Sequence, residues 1–132
     1  MWDTWEFYEK DVVKVTLKNS SPTTQQFEQF LQRILITIRR AERLGIVFDG
    51  AQIPSVTMSQ VMAVVKFMKE HKNDIRDKFF ASAIVIGSSL VDTALRFAFK
   101  LQPPSAPNLI TRSVQEAMTF VSTAAEKKIT AT

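Results

Sequence analysis

Ser55, Thr57 and Ser59 alternate across the opening of an amphipathic stretch, so a phosphoryl group on any of them would sit at a helix N-terminus. The unpaired N–H groups and the dipole of a helix start favour negative charge, which makes these hydroxyls candidates for a phosphorylation switch. They are equally suited to a structural role, because a Ser or Thr oxygen caps a helix by accepting from a free N–H. Ile86-Gly87-Ser88-Ser89 poses the same choice. It joins an apolar run to a second helix start, where backbone N–H groups could hold a phosphate or another anion. Otherwise Gly87 makes the turn and Ser88 or Ser89 is the cap. The stretch is not a P-loop, which ends in Gly-Lys-Ser/Thr, and it has too few glycines for a dinucleotide fingerprint.

Other chemistry-bearing residues are sparse. His71 is the single histidine, in the basic run Lys69-Glu70-His71-Lys72. One histidine builds neither a Ser-His-Asp triad nor a multi-histidine metal site, and a solvated surface position is expected for it. Asp49 ends an apolar run and could act as a general base, but a lone carboxylate beside a loop also anchors backbone amides. Lys66, Lys69, Lys72, Arg76 and Lys78 are interrupted by Glu70, Asp74 and Asp77 and lack interleaved aromatics. Nucleic-acid binding is therefore not expected. No catalytic residue, metal site or cofactor is assigned, and an enzyme is not expected.

The elements that position these residues belong to a chain of 132 residues, the size of one domain. Its hydrophobic fraction of 45% is enough for a sizeable core, and it has no cysteine for disulfides or thiolate metal ligands. The formal charge of +4 is a mild excess spread among charges of both signs, a pattern that serves solubility. Met1-Trp2-Asp3-Thr4-Trp5-Glu6 lacks the basic and apolar regions of a secretory signal. Apolar runs are too short for a membrane span, and a cytoplasmic location is expected.

Trp5 to Tyr8, a turn at Glu9-Lys10-Asp11, and the alternating Val12–Leu17 read as an N-terminal hairpin. Thr23 or Thr24 caps a long helix whose face is Phe27, Phe30, Leu31, Ile34, Ile38 and Ala41, ending at Leu44-Gly45. Gly45 to Asp49 is apolar without alternation, as in a strand buried on both faces. Thr57 to Lys72 reads as the next helix, with Met58, Val61, Met62, Val65 and Met68 inward. Phe80 to Ile86 is a further buried strand, Ser88 to Leu101 a helix stopped by Pro103-Pro104, and Leu109-Ile110 a short last strand. Ser113-Val114-Gln115-Glu116 is a capping box opening a final helix, whose end is expected to fray from Lys127.

Repeated strand–helix steps imply parallel strands. Ligands in such sheets sit beyond the carboxyl ends of the strands, here at the loops 49–56, 87–89 and 111–113. The helix over Ser88 to Leu101 carries an unusually wide apolar arc, with Leu90, Val91, Ala94, Leu95, Phe97, Ala98, Phe99 and Leu101. A helix on one sheet face needs a narrower stripe. Part of this arc is either deeply buried, a subunit interface or the lining of an apolar pocket.

The order of hairpin, helix and three further strand–helix units carries a resemblance. So do Gly45-Ile46-Val47-Phe48-Asp49, Ala83-Ile84-Val85-Ile86-Gly87-Ser88-Ser89 and the closing Ser113-Val114-Gln115-Glu116-Ala117. The chain resembles the SpoIIAA-like branch of the STAS superfamily, with CRAL-TRIO lipid-binding domains a second, related resemblance. The first implies a single α/β domain over residues 1–132, with a mixed sheet of about five strands, an N-terminal hairpin and four helices. It also implies a non-enzymatic regulatory or protein-docking role. In the superfamily's anti-sigma-factor antagonists, a serine in an Asp-Ser-Ser-Gly motif at a helix start is phosphorylated to switch partner binding. Here the corresponding segment is Ile53-Pro54-Ser55-Val56-Thr57-Met58-Ser59-Gln60, without that motif. The reading is a module that binds a protein partner, with Phe97, Phe99 and Leu101 as a docking or dimer surface. The alternative is a carrier or sensor of a small apolar or lipid-like ligand. A docking module should lack an enclosed cavity, whereas a carrier should have one beneath the Ser88–Leu101 helix, bounded by Phe97, Phe99 and methionines.

Overall fold

The computed structural model describes residues 2–130, with side chains through Glu126. The fraying expected from Lys127 falls outside the residues whose side chains are described. The N-terminal hairpin pairs β1 (Asp3–Tyr8) with β2 (Val12–Leu17) antiparallel, Tyr8 opposite Val12. Its turn holds Lys10 and Asp11 at φ of 61° and 62°, a left-handed conformation that Asp tolerates better than most side chains.

The chain continues through α1 (Thr24–Arg40), β3 (Leu44–Gly50), α2 (Met58–Glu70), α3 (Lys72–Lys78) and β4 (Phe79–Ile86). It closes with α4 (Ser89–Leu101), β5 (Asn108–Thr111) and α5 (Val114–Thr130). The sheet order is β1-β2-β3-β4-β5, parallel from β2 to β5. This is the expected mixed five-stranded sheet, with the apolar β3 and β4 flanked on both sides.

Each crossover steps to the next strand in one direction. Right-handed connections therefore place their helices on one face, and α5, which follows the last strand, covers the other. The two faces are built differently. On the α5 face, Val47, Ala81, Ala83 and Val85 meet Ala117, Val121 and Ala125. These small side chains bring helix and sheet close together. At Gly45 an added Cβ would lie 2.5 Å from the Phe80 ring and 2.6 Å from Val121, so only glycine permits that approach. Arg43 braces the layer: its guanidinium lies 4.6 Å from the Phe80 ring centroid and donates to the Ala125 carbonyl at 3.0 Å.

The opposite face carries larger groups. Val13, Val15, Ile46 and Ile86 pack with Phe27, Phe30, Ile34 and Ile38 of α1, Ile75 of α3 and Val91 of α4. The predicted face of α1 is thus its buried face. Thr23 caps the helix through a full capping box with Gln26. A partly buried ion pair ties α1 to the edge strand. Asp3 is wholly inaccessible, and Arg33 donates to it from Nε at 2.7 Å and again from Nη2. Trp5 Nε1 donates to the same carboxylate at 2.6 Å. Burial pushes the Asp3 pKa up, but the hydrogen bonds from Arg33 and Trp5 and the charge of Arg33 outweigh it, and the pKa ends below its ordinary value.

The structure departs from expectation at several boundaries. α1 stops at Arg40 because Ala41 turns extended at φ −87° and ψ 148°, so Leu44-Gly45 opens β3 instead of ending the helix. The helix expected over Thr57 to Lys72 ends at Glu70, with His71 at φ −111° and ψ 22°, and a further helix that was not expected, α3, follows at once, giving five helices instead of four. Asn73 and Asp74, poor helix formers, follow the break, and the new axis turns Ile75 into the core. Met58 and Met62 point outward, 62% and 45% exposed. The inward stripe of α2 is Val61, Val64, Phe67 and Met68. The capping box at Ser113 is half formed. Ser113 Oγ accepts from Glu116 N at 3.1 Å, but the Ser113 N–H goes to Thr111 Oγ1 at 3.2 Å instead of to Glu116.

Candidate functional site

Large side chains between the sheet and α1, α2 and α4 hold these helices off it. Trp2, Phe27 and Phe30 form one wall, with ring centroids 5.3–5.9 Å apart, and Phe30 meets Phe48 edge-on at 6.2 Å. Between them and Val61, Val64 and Phe67 of α2, and Ala94, Leu95, Ala98 and Phe99 of α4, lies a cavity of about 320 Å³. That is within the range of small-molecule sites. Among the described residues that line it, none is ionisable.

The exposed lining residues are Ser20, Ser21, Pro54, Ser55 and Thr57. They belong to the loops that follow β2 and β3, two parallel neighbours. The mouth therefore opens at the carboxyl edge of the sheet, where ligands of such sheets bind. Trp2 Nε1 donates to the Ser20 carbonyl at 2.9 Å and fixes one lip. Thr57 fixes the other by capping α2: its Oγ1 accepts from Gln60 N at 3.1 Å, and its N–H donates to Gln60 Oε1 at 3.0 Å.

The predicted site residues divide accordingly. Ser55 and Thr57 meet at the mouth, while Ser59 is exposed on the outside of α2. Ser88 is a clamp: its hydroxyl donates to the Pro54 carbonyl at 2.8 Å and accepts from Leu90 N at 3.1 Å. Ser89 Oγ is 3.5 Å from Arg112 Nη2. A Cβ on Gly87 would collide with the Ala51 carbonyl oxygen, so the backbone itself closes this part of the edge. Phe99 lines the cavity, whereas Phe97 and Leu101 lie outside it, 42% and 49% exposed. The cavity is thus beneath the predicted helix, but bounded by Phe99 and Met68 and not by Phe97.

Asp49 anchors the loop, accepting from Ala51 N at 3.2 Å, with Lys14 Nζ 3.9 Å away. His71 is not solvated as expected. It is half-buried at the α2–α3 break, its ring 4.8 Å from that of Phe67.

Sequence reasoning missed Ser82 and Asn108. Ser82 is buried within β4, and its Oγ accepts from Asn108 Nδ2 of β5 at 2.8 Å. Both line the cavity away from its mouth, Asn108 at the amino end of β5 and Ser82 midway along β4. A lone serine inside the run Phe79–Ile86 was the available signal.

No family model and no curated protein matches the chain. Among solved structures it is similar to an uncharacterised protein of the DUF3478 family from Shewanella loihica PV-4, which has a SpoIIAA-like fold. The two share 14% identity and a TM-score of 0.62 over 90% of this chain and 91% of that one. The chain therefore has a SpoIIAA-like fold. Among the described residues, no helix is long and apolar enough to cross a membrane.

Proposed function

We propose that this SpoIIAA-like domain is a non-enzymatic binding protein and that it carries or senses a small apolar ligand held between the sheet and α1, α2 and α4. The observation that supports this is the cavity of about 320 Å³ with no ionisable lining residue and a mouth of serines, threonine and proline. Apolar walls of this kind take apolar guests. Native mass spectrometry of freshly purified protein tests the reading. A bound small molecule is expected, lost on extraction with organic solvent. Ala94→Phe and Val64→Phe, which fill the cavity, should prevent its retention in folded protein. Persistent absence of any adduct, with no uptake of a neutral aromatic probe, would sink the carrier.

A second reading is docking of a protein partner or a second copy through α4. Leu90, Phe97 and Leu101 share one helix face and are 68%, 42% and 49% exposed, an apolar strip of the kind that interfaces cover. A dimer in the same mass spectra would support it. A phosphorylation switch at Ser55, Thr57 or Ser59 belongs to this reading.

A further inference from the structure

Behind its exposed mouth the cavity is lined by apolar side chains except for Gln60 at the start of α2, Ser105 in the loop before β5, and the pair Ser82 and Asn108 on the sheet floor. Among the described residues, that pair is the only one of these in which a polar side chain is held by another on a neighbouring strand. Ser82 and Asn108 face each other across adjacent strands, Ser82 paired in register with Asn108. The hydroxyl of Ser82 accepts from the Asn108 amide at 2.8 Å. An accepting hydroxyl keeps its own proton for another acceptor, and a carboxamide keeps a second N–H and its carbonyl oxygen. The strand backbone does not need either side chain, since Ser82 N already donates to the Pro107 carbonyl at 2.9 Å.

Specific small-molecule sites combine an apolar lining with a few placed polar groups that fix orientation. Resting on the carrier reading, we propose that Ser82 and Asn108 recognise the head of the ligand. That ligand is a compact apolar molecule with one uncharged oxygen acceptor, a ketone, ester or amide carbonyl, which enters carbonyl first. The Ser82 hydroxyl donates to the carbonyl oxygen, and Asn108 holds the hydroxyl in position. A carboxylate is rejected, because among the described residues lining the cavity no cation is present to offset its burial.

Three probes of one shape test the head group: 2-acetylnaphthalene, 2-isopropylnaphthalene and 2-naphthoate, titrated by calorimetry against the wild type and Ser82→Ala. The ketone should bind the wild type about three- to tenfold more tightly than the hydrocarbon, as one net hydrogen bond allows. Naphthoate should bind least. Ser82→Ala should remove the preference for the ketone and leave hydrocarbon binding unchanged. Alanine is a mild change in a strand that already holds Ala81 and Ala83, and circular dichroism checks that the variant folds. Asn108→Leu, of nearly equal size, should also erase the preference. Equal binding of ketone and hydrocarbon by the wild type, or a preference that survives Ser82→Ala, overturns the assigned head group but leaves the carrier. Tighter binding of naphthoate overturns it as well. Failure of all three probes to bind overturns the carrier reading and the inference with it.

Discussion

At the scale of single residues, Asp3 links sequence to acid stability. Its folded pKa lies below its ordinary value because Arg33 and Trp5 hold the ionised form. A depressed carboxyl contributes stability that is fully present above its unfolded pKa of about 3.9 and is lost as pH falls through the lower folded value. Asp3→Asn should therefore cost about 1–3 kcal/mol at neutral pH, the range for a buried group left without its partner. The lower part of that range is favoured, because Arg33 is 32% exposed and can turn its charge toward water. In urea unfolding the gap between variant and wild type should hold from pH 7 to 5, narrow once pH falls below the unfolded pKa of about 3.9, and close as pH passes the lower folded value. A gap independent of pH would mean that Asp3 acts only by filling space. Residues with local partners were legible in the sequence: Thr57 caps α2 and Ser88 caps α4 as their spacing allowed. The pairs Asp3–Arg33 and Ser82–Asn108 were not, because their members lie 30 and 26 residues apart, and only the fold brings them together.

At the scale of elements, α4 resolves the wide apolar arc that sequence alone left open. Val91 and Ala98 are buried and Phe99 lines the cavity, while Leu90, Phe97 and Leu101 face outward. Adjacent positions of one arc should then respond oppositely to charge. Phe97→Glu should keep the fold, with stability within about 0.5 kcal/mol of the wild type, as for surface changes. If α4 is an interface, light scattering should show that this variant no longer self-associates. Phe99→Glu should lose roughly 2–3 kcal/mol in urea unfolding by placing a charge against an apolar lining. Equal losses in the two variants would contradict the orientation of the helix. Helical periodicity gives the width of an arc, not which neighbour covers each part of it. The helix α3 was hidden for a similar reason: Lys72–Lys78 holds Asn73, Asp74 and Asp77, poor helix formers by composition, and only the tertiary burial of Ile75 supports a helix there.

At the scale of the whole molecule, the order of elements was readable because each strand–helix step is local, and right-handed crossovers then leave little freedom in topology. The separation between layers was not readable. On one face, Gly45, Ala81, Ala83 and Ala117 let α5 close onto the sheet. On the other, Phe27, Phe30, Phe48 and Phe67 keep the helices apart and leave space beneath them. This asymmetry makes the molecule mechanically lopsided. Hydrostatic pressure favours the state of smaller volume, and the volume lost on opening scales with the internal void removed. Compression should act first on the half that encloses the void. In high-pressure nuclear magnetic resonance, amide signals of α1, α2 and α4 should shift nonlinearly or fade at pressures where those of β4 and the described part of α5 remain sharp. Ala94→Phe should raise the pressure at which the first group responds and leave the second unmoved. A uniform response of both layers would mean that the void is shared by the whole core, whereas a divided one would make the helical roof a compressible spring set on a stiff sheet.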